Sequence, residues 1–193
     1  MNKTRLEAFS DGVLAIIITI MVLELKVPHN ASWEALKELA PVFLSYIMSF
    51  IFIGIYWGNH HHLLHTVKKV NGGIIWSNLN LLFWLSLIPF ATAWMGENHF
   101  AAFTVATYAI LLLLCGAAFT ILQKRIEHTL DNDSHVRHAL QRVAVKGYFS
   151  VIGYAAAIPF AYVNPVISGS LFMLVAVMWI IPDKRIEKAL QHE

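Results

Sequence analysis

Two clusters of residues able to carry charge or bind an ion fall where the sequence is otherwise apolar. In RLEAFSDGVLAIIITIMVLELKVP, residues 5–28, Arg5, Ser10 and Asp11 lead into a run of leucine, isoleucine and valine. In YWGNHHHLLHTVKK, residues 56–69, Asn59 stands beside His60, His61, His62 and His65. A carboxylate at membrane depth costs about 3 kcal/mol on insertion scales and normally faces protein, water or a partner charge. Amide and imidazole groups can donate to it, so a network joining Asp11 to Asn59 and His60 is one reading of the two clusters. Metal binding by His61 and His65, spaced i,i+4 on one helix face, is a second. Axial haem ligation by His60 or His61 is a third, but His29, His99, His128, His135, His138 and His192 all fall in loops or tails by this reading, leaving no facing histidine in another span. The expectation is therefore no cofactor and no resident metal. Arg5 lies six residues before Asp11, about 9 Å along a helix, which is too far for a simple pair. Asp11 then finds its partner on another helix, or else it is a helix N-terminal charge favoured by the macrodipole.

These residues need elements to hold them, and composition names the class. Hydrophobic residues make up 58% and charged residues 13% of 193 positions, with a mean hydropathy of +0.60. That is too apolar for a soluble domain of this size. The expected fold is an all-α membrane protein of six transmembrane helices in one domain, residues 1–193. About 20 apolar residues cross a hydrocarbon core, and six such stretches occur: 9–27, 41–64, 74–95, 101–122, 143–163 and 165–181, closed by Pro182. Ser32 is a candidate N-cap for a polar lead-in to the second span. The linker Gln123 to Gln141 carries the only sustained polar run. Cys115 sits inside an apolar run and, as the single cysteine, forms no internal disulfide. There is no cleavage site after the first apolar run, which reads as a retained helix.

Alternating the spans places Lys3, Arg5, Lys68, Lys69, Lys124, Arg125, Arg137, Arg142, Lys146, Lys184, Arg185 and Lys188 on the side of the N-terminus, and Lys26 and Lys37 on the other. Twelve against two puts both termini in the cytoplasm, because short cytoplasmic loops are enriched in Lys and Arg. The same rule accounts for the basic tail, so no nucleic-acid partner is expected. Trp33, Trp76, Trp94 and Trp179 fall near span ends, where indole rings anchor at headgroup level.

On the first helix, Ile16, Thr19, Ile20 and Leu23 share one side at three- and four-residue spacing, extended by Gly12 and Ala15. Composition alone allows this stripe to be ordinary core packing.

Arg5 followed by Phe9, Ser10 and Asp11, then Trp57 with His60 and His61, resembles the transmembrane protein 175 family, the lysosomal potassium channels and their prokaryotic relatives. Leu79-Asn80 with Pro89-Phe90 in the third span is similar too. The resemblance implies six-span units whose first helices line a central pore without the usual potassium-channel filter, assembled here as a homotetramer in the cell membrane. It implies that Ile16 is a hydrophobic constriction, Thr19 a hydroxyl one turn further, and Ile20 and Leu23 apolar rings. Arg5, Phe9, Ser10 and Asp11, with Trp57, Asn59 and His60, become the motif that ties first helices to their neighbours.

Four isoleucines around an axis offer no oxygen to replace a hydration shell, so a narrow ring gates by dewetting and must widen to conduct. Potassium is then the permeant ion, passing near Ile16, Thr19 and Leu23 with moderate preference over sodium. Glu24 at the external mouth either concentrates cations or is a solvated helix-end charge. The rival function is a proton-coupled transporter using Asp11 and His60 as a relay. Transporters often carry inverted repeats, and no internal repeat is visible. No nucleophile or carboxylate pair lies in the spans, so the chain is not expected to be an enzyme.

Overall fold

The structure, a computed structural model, describes residues 2–131 and 135–180. Among the described residues eight helices follow in order: α1 Lys3–Leu23, α2 Trp33–Glu38, α3 Ala40–His65, α4 Gly72–Ser86, α5 Ile88–Glu97, α6 Ala102–Glu127, α7 His135–Val163 and α8 Pro165–Ile180. No strand is present among the described residues. Five segments are long and apolar enough to cross a membrane: α1, α3, α4 with α5 taken together, α6 and α7. The shorter α8, 16 residues, is the sixth.

The starts and stops are set by side chains that satisfy free backbone groups. Asn2 opens α1 by accepting from the Arg5 N–H at 3.0 Å, and Asn71 opens α4 by accepting from Ile74 N–H at 3.0 Å. Ser32 caps α2, accepting from Ala35 N–H at 3.2 Å. Pro41 and Pro89 sit in the first turns of α3 and α5, where their missing N–H is no loss.

Several boundaries differ from those that hydropathy predicts, and for one reason: apolarity reports depth in lipid, whereas caps decide where a helix begins. α1 starts six residues before Phe9 and ends at Leu23, with Glu24 as its C-cap, so Leu25 and Val27 are non-helical although both are apolar. The polar run after Gln123 is not all linker, since α6 continues to Glu127 and α7 begins at His135. The third span is two helices, broken at Leu87, two residues before Pro89. Leu87 N–H bonds back to Trp84 O at 3.2 Å, and Pro89 supplies no N–H to continue the ladder. Ile181, Pro182, Lys184, Arg185 and Lys188 lie outside the described residues.

α6 is the central post. It packs against α4, α5, α7 and α8 and buries Tyr108, Leu112, Cys115 and Leu122 completely. A hydroxyl chain crosses the core beside it: Ser49 Oγ and Tyr108 Oη lie 2.8 Å apart, and Thr92 Oγ1 and Ser49 Oγ 2.6 Å. Thr92 also donates to the Ile88 carbonyl at 2.7 Å. Buried hydroxyls inside a membrane bundle need such partners, because lipid offers none. Where α5 crosses α3, Gly96 permits close approach: a Cβ there would stand 2.7 Å from Val42 Cα and 2.5 Å from Ser45 Oγ. At the end of α7, Ser168 of α8 donates to the Ala157 carbonyl at 2.7 Å and fixes the α7–α8 hairpin around Asn164 and Pro165.

Candidate functional site

α1 packs on α3, α4 and α5, and its two sides have different fates. Leu6, Ser10, Leu14, Ile17 and Met21, at spacings of three or four, are buried against those neighbours. Asn78 projects from the equally buried face of α4, which also carries Ile74, Ser77, Leu81, Leu82 and Leu85. Its amide donates to Ser10 Oγ at 2.9 Å, and Ser10 passes its own proton to the Leu6 carbonyl at 2.9 Å. Asn78 Oδ1 lies 2.6 Å from His60 Nε2. An amide oxygen only accepts, so His60 holds its proton on Nε2 and donates. One asparagine thus joins α1, α4 and α3 through groups that are all buried.

Asp11 is bound separately. Its Oδ1 accepts from Trp57 Nε1 at 3.0 Å. Asp11 stands two turns inside a helix that starts at Lys3, so it is not an N-terminal charge. The expected bonds from Asn59 and His60 to Asp11 are not the ones formed: Asn59 Nδ2 donates to Ile55 O within its own helix at 2.8 Å, and His60 is taken by Asn78. Asn78 is not among the residues that the sequence motifs single out, which name Asn80, two residues on and exposed. The signal was available, since Ile74, Asn78, Leu81 and Leu85 share a helical stripe and Asn80 does not. His61 stacks beside His65, ring centroids 5.9 Å apart. Among the described residues no group of three or more His, Cys, Asp or Glu could hold a metal ion.

The opposite side of α1 is open. Phe9, Ile16, Ile20 and Leu23 are 51, 58, 42 and 78% exposed, and beside them runs a second exposed line of Ala8, Gly12, Ala15 and Thr19. Core packing within the chain is therefore not what the Ile16 stripe does. A Cβ added at Gly12 would meet nothing within 4 Å. Thr19, exposed, turns its Oγ1 proton back to its own helix, toward Ala15 O at 3.1 Å and Ile16 O at 3.0 Å. Arg5 and Glu24, both exposed, mark the two ends of this face. The Arg5 guanidinium has no hydrogen bond or ion pair in the described structure, and its backbone N–H serves the Asn2 cap. Between α1 and α5 a groove of about 580 Å³ runs along Val13, Ile16 and Ile20 to Glu24, walled by Phe90 and Trp94. Exposed faces elsewhere are built from large groups such as Trp76, Phe83, Phe103 and Ile110, as a lipid-facing surface is.

Five apolar spans and a shorter sixth apolar helix define a multi-pass α-helical membrane protein. The chain belongs to the TMEM175 family. The pattern described as "Endosomal/lysosomal potassium channel TMEM175" matches residues 5–89. A potassium channel of Chryseobacterium sp. (strain P1-3) is 56% identical over 192 residues, covering 100% of both chains. A potassium channel of Streptomyces collinus (strain DSM 40733 / Tue 365) is 32% identical over 178 residues, 85% of each. The crystal structure of a lysosomal potassium-selective channel TMEM175 homolog from Chamaesiphon minutus superposes with a TM-score of 0.80 at 28% identity, covering 93% of this chain and 96% of that one.

Proposed function

We propose that the chain is a passive potassium channel of the cell membrane, formed by four copies whose α1 helices surround a central pore. The observation that carries this reading is the asymmetry of α1: a helix pinned on one side by Ser10 and Asp11 presents to the outside a face of small, hydroxyl and apolar residues. Ala8, Gly12, Ala15 and Thr19 recur every three or four positions, the spacing that lets membrane helices approach closely. The neighbouring copy's α1 supplies that approach, and Ile16, Ile20 and Leu23 then turn toward the axis.

Ile16 forms the constriction. A ring of isoleucine excludes water when narrow, and conduction needs it to widen. Thr19, one turn beyond, offers hydroxyl oxygens to a partly dehydrated ion, which favours weakly hydrated potassium over sodium. Phe9, Ser10, Asp11, Trp57 and His60 position the pore helix and do not touch the ion; Arg5 lies beside them at the surface. No cofactor and no catalysed reaction enter this reading. The end of the bundle carrying Lys3, Arg5, Lys68, Lys69, Lys124, Arg125, Arg137, Arg142 and Lys146 faces the cytoplasm, with Lys26 and Lys37 at the other end. The names and similarity of the prokaryotic relatives support the assignment of ion.

The test is flux through the purified full chain in liposomes under a potassium gradient. Channel activity gives a current reversing near the potassium equilibrium potential, shifted only partly by sodium, with no need for a proton gradient. Saturable flux that requires a proton gradient would overturn it in favour of a transporter using Asp11 and His60.

A further inference from the structure

One buried side-chain oxygen on α1, Glu7 Oε1, makes no hydrogen bond, a costly state for a carboxylate oxygen. Two groups stand just out of reach: His65 Nδ1 at 3.9 Å and Lys3 Nζ at 4.0 Å. Lys3 is already engaged, donating to the His65 carbonyl at 2.6 Å. The oxygen itself is enclosed within the chain, and Lys3 and His65 are the cationic groups that stand nearest to it.

The surroundings make His65 the movable member. Its side chain is 60% exposed, so protons reach it from solution. It ends a ladder on one face of α3 formed by Trp57, His61 and His65, with ring centroids 6.2 and 5.9 Å apart. Against this ladder α1 sets Asp11, Glu7 and Lys3, at the same four-residue spacing in the opposite direction. Trp57 holds Asp11 and Lys3 holds the His65 backbone; the Glu7–His65 rung alone is open. His61 stands between Trp57 and His65 in this ladder, so His65 is the ring that lies beside the Glu7 carboxylate. The other charged or titratable groups nearby are Arg5 on α1, His60 and His62 on α3, and Lys68 and Lys69 in the turn after it. α4 contributes none, and Glu97, the one such group on α5, lies at the far end.

We propose that Glu7 and His65 are a proton-operated clamp between α1 and α3: a proton taken up by His65 from the basic side closes the open rung into a charge-assisted hydrogen bond. This rests on α1 being the pore helix, for a clamped α1 resists the displacement that widening at Ile16 requires. Acid on that side therefore lowers open probability, in the range where histidine changes charge.

The experiment uses the full chain in planar bilayers, with the solution at the basic end stepped from about pH 8 to about pH 5.5. Potassium current should fall about fivefold, the weight of one modest hydrogen bond, and the same step on the other side should leave it unchanged. Glu7→Gln and His65→Gln should each conduct at the higher pH and lose the response, whereas His61→Gln keeps it. A current that is insensitive or rises with acid, or a response that survives both substitutions, overturns the clamp. Should the wild type carry no current at all, the pore reading fails separately, and thermal unfolding then decides the clamp. Wild type should gain stability relative to Glu7→Gln on acidification; an equal change in both proteins sinks it.

Discussion

The two faces of α1 behave as though they belonged to different proteins. One ends its polar groups in hydrogen bonds to α3 and α4, through Ser10, Asn78, His60, Trp57 and Asp11. The other shows Phe9, Ile16, Thr19 and Leu23 to the outside, each of them exposed. In lipid there is little hydrophobic force to choose between such faces, because acyl chains are as apolar as leucine. The choice falls to the polar groups. A slip of one residue turns a helix by about 100°, which would carry Ser10 out of reach of Asn78 and withdraw Ile16 from the open side. The anchor thus fixes which residues are left to face outward, and with them the wall of the proposed pore.

That division predicts unequal consequences for substitutions on the two faces. The largest loss of stability is expected at Asn78. Asn78→Leu strands the His60 Nε2–H in a buried setting, at about 2–3 kcal/mol, while Ser10 keeps its bond to Leu6. Equilibrium unfolding in detergent measures it. The double variant with His60→Leu should recover part of the loss, since an apolar pair is less costly than one orphaned donor. A double variant as damaged as the sum of both singles would mean that the anchor contributes by packing alone.

Gly12→Ala comes next and separates the chain from its assembly. Alanine is favoured over glycine within a helix by about 1 kcal/mol, and the open space around Gly12 imposes no clash within the subunit. The isolated chain should therefore become slightly more stable. If α1 helices meet along Ala8, Gly12, Ala15 and Thr19, the same methyl weakens the tetramer, which mass measurement in detergent would detect. An unaffected oligomer would place the contact between copies on another face.

Much of this was legible in the sequence, for identifiable reasons. Spans follow from apolar length, and the stripe of Ile16, Thr19, Ile20 and Leu23 from its spacing, although spacing alone left it open whether that stripe packs inside the chain or faces outward. The ends of helices were not legible from hydropathy, because Asn2 and Asn71 act through one side-chain oxygen each and leave no trace in a window average. The anchor was half visible. Ser10, Asp11, Trp57 and His60 stood out as polar groups in apolar surroundings, but a single chain does not say which partner each one meets. Only the rotation of α4, which buries Asn78 and exposes Asn80, decides that Ser10 and His60 share an asparagine while Asp11 takes the indole.

Ile16→Asn tests the open face and should hardly alter stability, by less than about 0.5 kcal/mol for an exposed site. Its effect belongs to conduction: an amide at the constriction wets it, raising single-channel conductance and weakening the preference for potassium over sodium. Unchanged currents would move the pore away from α1's outer stripe.

The smallest effect is expected at the other end of α1, where Lys26 pairs with Glu97 at the end of α5. The hydrogen bond that Lys26 donates to Glu97, then the charge of Glu97, hold the Lys26 ammonium above the ordinary lysine range, against a small opposing effect of desolvation. A raised value in the folded state means that the pair's contribution is complete below the ordinary lysine value and is lost as pH rises through the folded one. Lys26→Met should accordingly melt slightly below wild type at neutral pH, with the gap closing in strong alkali. Both side chains are open to solvent, and exposed pairs are weak, so this gap should be far smaller than that of Asn78→Leu. If the two were comparable, α1 would be held as much by its distal loop as by its buried anchor. The rotation of its outward-facing stripe would then no longer be set by Ser10 and Asp11.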